Sequence, residues 1–492
     1  MTVQFHPLIY ADFFERGTGY IESFYFFYIV VKSTNQMTSQ FKPEKFKLID
    51  ASFEEFQKAI HEGHLRAREA RLIPVLKAGD EMALASVFLS SLKYVKEYRE
   101  KFFKAIKFKK TSQIFYYTEV AFHPDSDYSS SRLDGLILSV AKGKIKDAVI
   151  LEFKGKGGTV DPVQIEQYLS LNKSTLKADK LVSISPEYVP DVDHLPYNPI
   201  GKSKSVELYH FSWSHLKNIA SLLLFQNGDN IEDEDQVNIL NEVLYYLESD
   251  INGLKGFSQM KSGWKSVVEA IKTGLPPKKE DLDEAVQSWF EEQTDMAHLL
   301  SAELGVPVTT SSAKKEGNLV KKLKTETSLL QKTNQLKFQL IIKDVVSDID
   351  VTADFRNETI EMSISLNAPS EDNKRNRARL TWLNNQLKKA EERESQAFET
   401  LSNDIYIDVS IKFGRQPLRY KLADFHLAWD DLVNEKEITS FTIIAIKDVG
   451  SKFKQPKKFV ELIELMMFDY YQGLVQNLKS YTRPAPRISN HD

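Results

Sequence analysis

The chain of 492 residues has no cysteine. That absence excludes disulfides, thiolate zinc sites, iron–sulfur clusters and cysteine nucleophiles, and it fits a reducing, cytoplasmic setting; His, Asp and Glu remain as metal ligands. Long apolar runs are missing too. A membrane span needs roughly 18 to 20 apolar residues, whereas the nearest approach, Phe24 to Val31, has the length of a buried strand, so no membrane partner is expected. Charge of one sign is lacking as well: 65 Lys and Arg stand against 69 Asp and Glu, a formal net charge of -4. Any contact with a polyanion must therefore come from a local basic surface. The start carries no basic segment leading into an apolar core, and Asp12, Glu15 and Arg16 break up Met1 to Gly19, which argues against a signal peptide. No nucleoside triphosphate loop is found either. Gly155-Lys-Gly-Gly158 lacks a following Lys-Ser/Thr, and Gly201-Lys202-Ser203 is preceded by Pro196 where that loop needs glycine.

What is present is an ordinary globular balance, 42% apolar and 27% charged, over a length of about three domains at roughly 150 residues each. Residues 1–44 differ in texture from the rest and read as an N-terminal extension, with Met37 as an alternative start. From Phe46 to Phe103 apolar residues recur at helical spacing, as in Leu84, Val87, Phe88 and Leu92, with Asp80-Glu81 suited to a first turn. The period then changes to that of strands at Gln113 to Ala121, Arg132 to Val140 and Lys146 to Phe153. Asp161-Pro162 opens a helix with an N-cap and a proline at its first position. Two more strands and two helices follow, up to the break at Leu275-Pro276-Pro277. Residues 276–335 read as a linker with connecting helices. Thr359 to Leu366 and Ile405 to Phe413 alternate as strands with one wet face, so 336–492 reads as an α+β domain.

The chemistry gathers between Leu133 and Tyr168. If the hairpin of the second and third strands is symmetric about Gly143, Asp134 falls opposite Glu152. Two carboxylates at the about 5 Å of a cross-strand pair repel, so something positive belongs between them. Glu152 and Lys154 project to one face of their strand while Phe153 points to the other. Two carboxylates and an ammonium on one patch suit a hard divalent cation, Mg²⁺ or Mn²⁺, which can clamp a phosphate and acidify a bound water. The chemistry implied is hydrolysis of a phosphodiester. Gln164 and Tyr168, four apart, share a helix face over that patch. His123, Asp125 and Asp127 read as a hairpin loop between Pro124 and three serines.

The Asp134, Glu152-Phe153-Lys154 strand pair followed by Gln164-Ile165-Glu166-Gln167-Tyr168 resembles the PD-(D/E)XK nuclease superfamily, in its RecB-like Q-h-x-x-Y variant. Leu133 stands where the superfamily's pattern has proline. The resemblance implies an α/β restriction-endonuclease-like core, a mixed central sheet flanked by helices, over residues 45–275. It also implies that Asp134, Glu152 and the backbone carbonyl of Phe153 bind Mg²⁺ or Mn²⁺, and that Lys154 positions the attacking water. Gln164 and Tyr168 complete the expected catalytic set. Family members add a glutamate from a preceding helix, for which Glu81 is the best match and Glu119 the second. DNA is the expected substrate by family habit, and a free-standing nuclease without an ATPase suggests a role in bacterial antiviral defence.

Lys101, Lys104, Lys107, Lys109 and Lys110 alternate with aromatic residues just before the first of these strands. They are candidate nucleic-acid contacts, of which Lys104, Lys107, Lys109 and Lys110 are the strongest, and salt dependence would report them. Two other classes stay open: a nuclease fold that only binds nucleic acid, and an assembly protein whose segment Phe459 to Leu478 packs between subunits as a homo-oligomer.

Overall fold

Two runs of strands, separated by helices, build two sheets. The computed structural model describes residues 48–482 except 50–51, 64, 70–79, 123–130, 190, 198–205, 226–230, 255, 312–318 and 370–374. The extension read at 1–44, the loop with His123, Asp125 and Asp127, and Gly201-Lys202-Ser203 lie outside the described residues. Pro43–Asp492 form one compact unit that contains both sheets.

The first half runs α1 (Phe53–His61), β1 (Leu65–Glu69), α2 (Glu81–Tyr94), α3 (Lys96–Ala105), β2 (Gln113–Phe122), β3 (Arg132–Ala141), β4 (Lys144–Phe153), α4 (Pro162–Leu171), β5 (Lys180–Ser185), β6 (Glu207–Ser212), α5 (Trp213–Leu224), α6 (Glu234–Glu248) and α7 (Ser262–Lys272). The six strands form a mixed sheet in sequence order. β1 to β4 are antiparallel; β4, β5 and β6 are parallel. β1 departs from the helical reading of 46 to 103: a short strand rich in charge gains its place by pairing with the open edge of β2.

Strand alternation divides the sheet's apolar residues between two layers. Ile137, Val149, Leu151, Phe153, Val182 and Phe211 pack under α2, α3, α5 and α6. There Phe88 makes edge contacts with Phe102, Phe153 and Trp213. The opposite face is covered by α1, whose Phe53 and Phe56 meet Phe115 and Tyr117, and by α4 with buried Ile165 and Leu169. The β3–β4 hairpin closes on Lys142 and Gly143, both at positive φ (52° and 69°), the conformation a two-residue turn of this hand needs.

The second half contains α8 (Lys279–Leu304), β7 (Val308–Thr310), α9 (Leu319–Thr333), β8 (Gln335–Ile342), β9 (Ile349–Asp354), β10 (Thr359–Asn367), α10 (Asn376–Arg393), α11 (Ser395–Ser402), β11 (Ile405–Ile411), β12 (Leu418–Lys421), α12 (Ala428–Leu432), β13 (Ile438–Asp448) and α13 (Pro456–Gly473). Its seven strands form an antiparallel sheet ordered β12-β11-β13-β10-β9-β8-β7. One face carries Leu336, Val351, Met362, Ile407 and Ile443 into a core shared with Trp264, Trp289 and Phe459 of the helices. The 26-residue α8 touches α5 of the first half as well as α7 and β8.

Candidate active site

The hairpin register brings two carboxylates together. Gly135 pairs with Leu151, and the same register runs to Ser139 opposite Asp147 before it shifts toward the turn. One step beyond Gly135 and Leu151 stand Asp134 and Glu152, on the sheet face that α4 covers. Gly135 is required here: a Cβ would come within 3.1 Å of Leu151 and Phe153 and 3.2 Å of Leu89. The missing side chain lets α2 press against the strands beneath the carboxylates.

Glu152 is fully buried. Its Oε1 accepts from Lys154 Nζ at 2.6 Å, and its Oε2 has no hydrogen-bond partner. Asp134 Oδ2 accepts from the Phe153 backbone N–H at 3.1 Å. Burial, then the facing Glu152 carboxylate, pushes the Asp134 carboxyl up to about 7, against the lowering effect of the Phe153 N–H and Lys154. Burial works to lower the Lys154 ammonium, but Glu152, Glu81 and Asp134 outweigh it and hold the group above its ordinary range. Lys154 is therefore charged and neutralises one of the two acids.

α4 supplies a polar relay over this patch. Asp161 caps its first turn by accepting from the Val163 N–H, and Pro162 follows at the first helical position. Lys154 Nζ donates to Gln164 Oε1 at 2.9 Å; Gln164 Nε2 donates to Tyr168 Oη at 3.2 Å; Tyr168 Oη donates to the Arg132 carbonyl at 2.8 Å. Burial, with Asp134 and Glu152 nearby, pushes the Tyr168 phenol upward, so it acts as a neutral donor. Gln164 and Tyr168 thus reach the patch together.

Glu81 arrives from the first turn of α2, where Asp80 accepts from the Met82 N–H as the cap. Its Oε1 accepts from the Gly155 N–H at 3.1 Å. Glu119, at φ 51°, stands in register with Asp134, since Thr118 pairs with Gly135 and Val120 with Leu133. The bulge at this point lies in the β1–β2 pairing, where Arg66 pairs with Ala121 and Arg68 with Thr118, so that Glu119 and Val120 face one residue of β1. The Glu119 carboxylate lies 3.8 Å from the Arg132 guanidinium. The lysine cluster stands elsewhere. The Lys109 N–H donates to Asp147, five residues along β4 from Glu152, or about 17 Å at strand rise. Lys110 pairs with Glu100 at 2.9 Å, and Lys104 and Lys107 are exposed near the end of α3. The structure does not bring these four to the carboxylates.

Two site residues escape sequence reasoning. Trp213 Nε1 donates to the Lys154 carbonyl at 2.8 Å, and the Lys154 N–H donates to the Ile184 carbonyl at 2.8 Å, so the backbone that carries the ammonium is pinned from two elements. Arg132, half-exposed, lines an 840 Å³ cleft with Asp134, Asp161, Gln164, Gln167 and Tyr168. Only the step of two from Arg132 to Asp134 along one strand face hinted at it.

The donor set fits a hard divalent cation: two facing carboxylates, one with a buried oxygen that lacks a partner, beside a charged lysine. Among the described residues no group of three or more His, Asp or Glu side chains forms a ligand cage. A cation here would complete its shell with backbone or water oxygens. Compared with protein-family models, curated proteins and solved structures, the chain matches none.

Proposed function

We propose that the chain is a Mg²⁺- or Mn²⁺-dependent phosphodiesterase acting on nucleic acid, with DNA the expected polymer. The observation that carries this reading is the buried Asp134–Glu152 pair with Lys154 bound to one carboxylate and the other oxygen of Glu152 left without a partner. The mixed sheet flanked by helices is compatible with a restriction-endonuclease-like core.

Asp134, Glu152 and the Phe153 carbonyl are the residues that would hold the cation. When bound it supplies Lewis-acid polarisation of the phosphoryl oxygens and a lower pKa for a coordinated water. The Lys154 ammonium, fixed by Glu152 and Gln164, orients the attacking water and meets the charge that develops on the phosphoryl oxygens. Gln164 and Tyr168 keep Lys154 directed at the cleft. Glu81 fixes the backbone after Lys154 through Gly155. Arg132 at the cleft wall is suited to a phosphate of the bound strand.

The two-carboxylate donor set favours one second reading, a nuclease-like fold that holds nucleic acid without cutting it. Incubation of linear DNA, closed-circular DNA and single-stranded RNA with wild type and Lys154→Ala, in Mg²⁺, Mn²⁺ or EDTA, decides between them. Metal-dependent cutting lost in the variant is expected, and cutting of the circle identifies an endonuclease. Binding of these polymers with no cutting under any condition would replace the enzyme with the binding module.

A further inference from the structure

Far along the chain, in the second sheet's half, a basic pocket lies between α10 and the segment after α13. Trp382, Asn385, Gln386, Lys389 and Arg393 fall at steps of three, four and seven along α10, which places them on one stripe. Across from them runs the segment of Lys479 to Tyr481, fixed by Gln386 Nε2 donating to the Lys479 carbonyl at 2.9 Å. The pocket measures 300 Å³.

Its lining holds three cations, Lys389, Arg393 and Lys479, and no carboxylate. Among the described residues none of the three forms an ion pair. Glu394, next to Arg393, is occupied by Gln472 and Gln476 at 2.9 and 3.3 Å. Trp382 is half-buried, held by ring contacts with Phe441 and, edge to face at 86°, with Tyr481, both at 6.3 Å. On the other side of Tyr481 lies a second pocket of 550 Å³, lined by Asn367, Thr439, Ser480 and Lys412. Its one acid, Glu437, pairs with the buried Arg379 at 2.7 Å and with Lys412 at 3.5 Å.

An aromatic ring at the wall with unpaired cations and side-chain amides lining the same pocket forms the chemistry that recognises unpaired nucleotides. The second pocket, with Tyr481 in its lining, adds polar groups of Asn367, Thr439 and Ser480 beside the first, which suits a strand that continues past Tyr481. We propose that α10 and residues 479–481 bind a single nucleic-acid strand, one base stacking on Trp382 with its phosphates on Lys389, Arg393 and Lys479. This site uses no residue of the Asp134–Glu152 cleft, so it stands or falls separately from the nuclease reading.

The test uses the full chain carrying Lys154→Ala, without divalent metal, so that no cutting is read. Fluorescence anisotropy of a labelled oligothymidylate gives the affinity and its salt dependence. Lys389→Glu with Arg393→Glu, both exposed, is expected to weaken binding at least tenfold and to lower the salt slope by about one to two. Trp382→Ala is expected to weaken it about tenfold, with Trp382→Phe recovering most of the loss. Unchanged affinity in the charge-reversed variant would overturn the proposal. So would a duplex or a free mononucleotide that binds the parent as tightly as the strand.

Discussion

Lys154 Nζ sits 2.6 Å from one oxygen of Glu152, while the other oxygen of that fully buried carboxylate has no hydrogen-bond partner. The ammonium offsets one negative charge and leaves a second, on Asp134 across the hairpin, short of compensation. A buried carboxylate oxygen with nothing to accept from is costly. This arrangement is stable only with a proton on the pair or a cation between the acids.

The first consequence is a pH dependence of the metal-free protein. The Asp134 carboxyl titrates near 7 when folded and at about 3.9 when unfolded. Between those values the folded state binds the extra proton, so stability falls as pH rises through the window. Asp134→Asn is expected to raise the melting temperature of the EDTA-treated protein at pH 7.5 and to leave it little changed at pH 4. Scanning calorimetry at the two pH values checks this, and a lowered melting temperature at pH 7.5 would count against it.

A second expectation concerns cation binding. Mg²⁺ at millimolar concentration is expected to raise the wild-type melting temperature, because a ligand that binds only the folded state adds stability by mass action. Asp134→Asn and Glu152→Gln are expected to lose that shift. An equal shift in all three proteins would place the ion elsewhere.

Gly135→Ala tests the packing beneath the site. The added methyl meets Leu151, Phe153 and Leu89 at 3.1 to 3.2 Å, an overpacking that typically costs about 1 to 3 kcal/mol. Urea denaturation is expected to show that loss, with the Mg²⁺ response weakened because Asp134 is the neighbouring residue.

A fourth prediction concerns the interface of α8 and α13. Glu292 is fully buried and neither of its carboxylate oxygens has a partner. Burial, then Glu464 and Asp295, raises it well above the ordinary range. Burial, with Asp295 and Glu461, pushes Glu464 up to about 7. The proton on Glu464 therefore favours the fold, and that contribution is lost as pH rises from about 4.3 through 7. Glu464→Gln is expected to stabilise the protein at pH 8 and to leave it unchanged at pH 4. Equal melting temperatures at pH 8 would contradict this.

Much of the hairpin was legible because its constraints are local. Alternation fixed which face Glu152 and Lys154 share. The turn alone did not fix the register: Ala141 pairs with Lys144, which is not symmetric about Gly143, and the shift between Ser139 and Val140 is what brings Asp134 opposite Glu152. Asp161-Pro162 announced α4 and hence the facing pair Gln164 and Tyr168. Long-range placement was not legible. The lysines near 101 to 110 are close in sequence to β2 yet lie at the opposite end of the sheet, because β4 runs five residues between Asp147 and Glu152. Trp213 reaches Lys154 across 59 positions, a contact no spacing rule contains. β1 carries charges on a short edge and so hid in a helical stretch.

The central claim is tested most directly by cleavage of closed-circular DNA after the protein has been stripped with EDTA, with and without Mg²⁺ restored, for wild type and Glu152→Gln. Cutting by the wild type alone, and only once Mg²⁺ returns, is the expected result. Equal cutting by the variant, or cutting that persists in EDTA, would contradict the account.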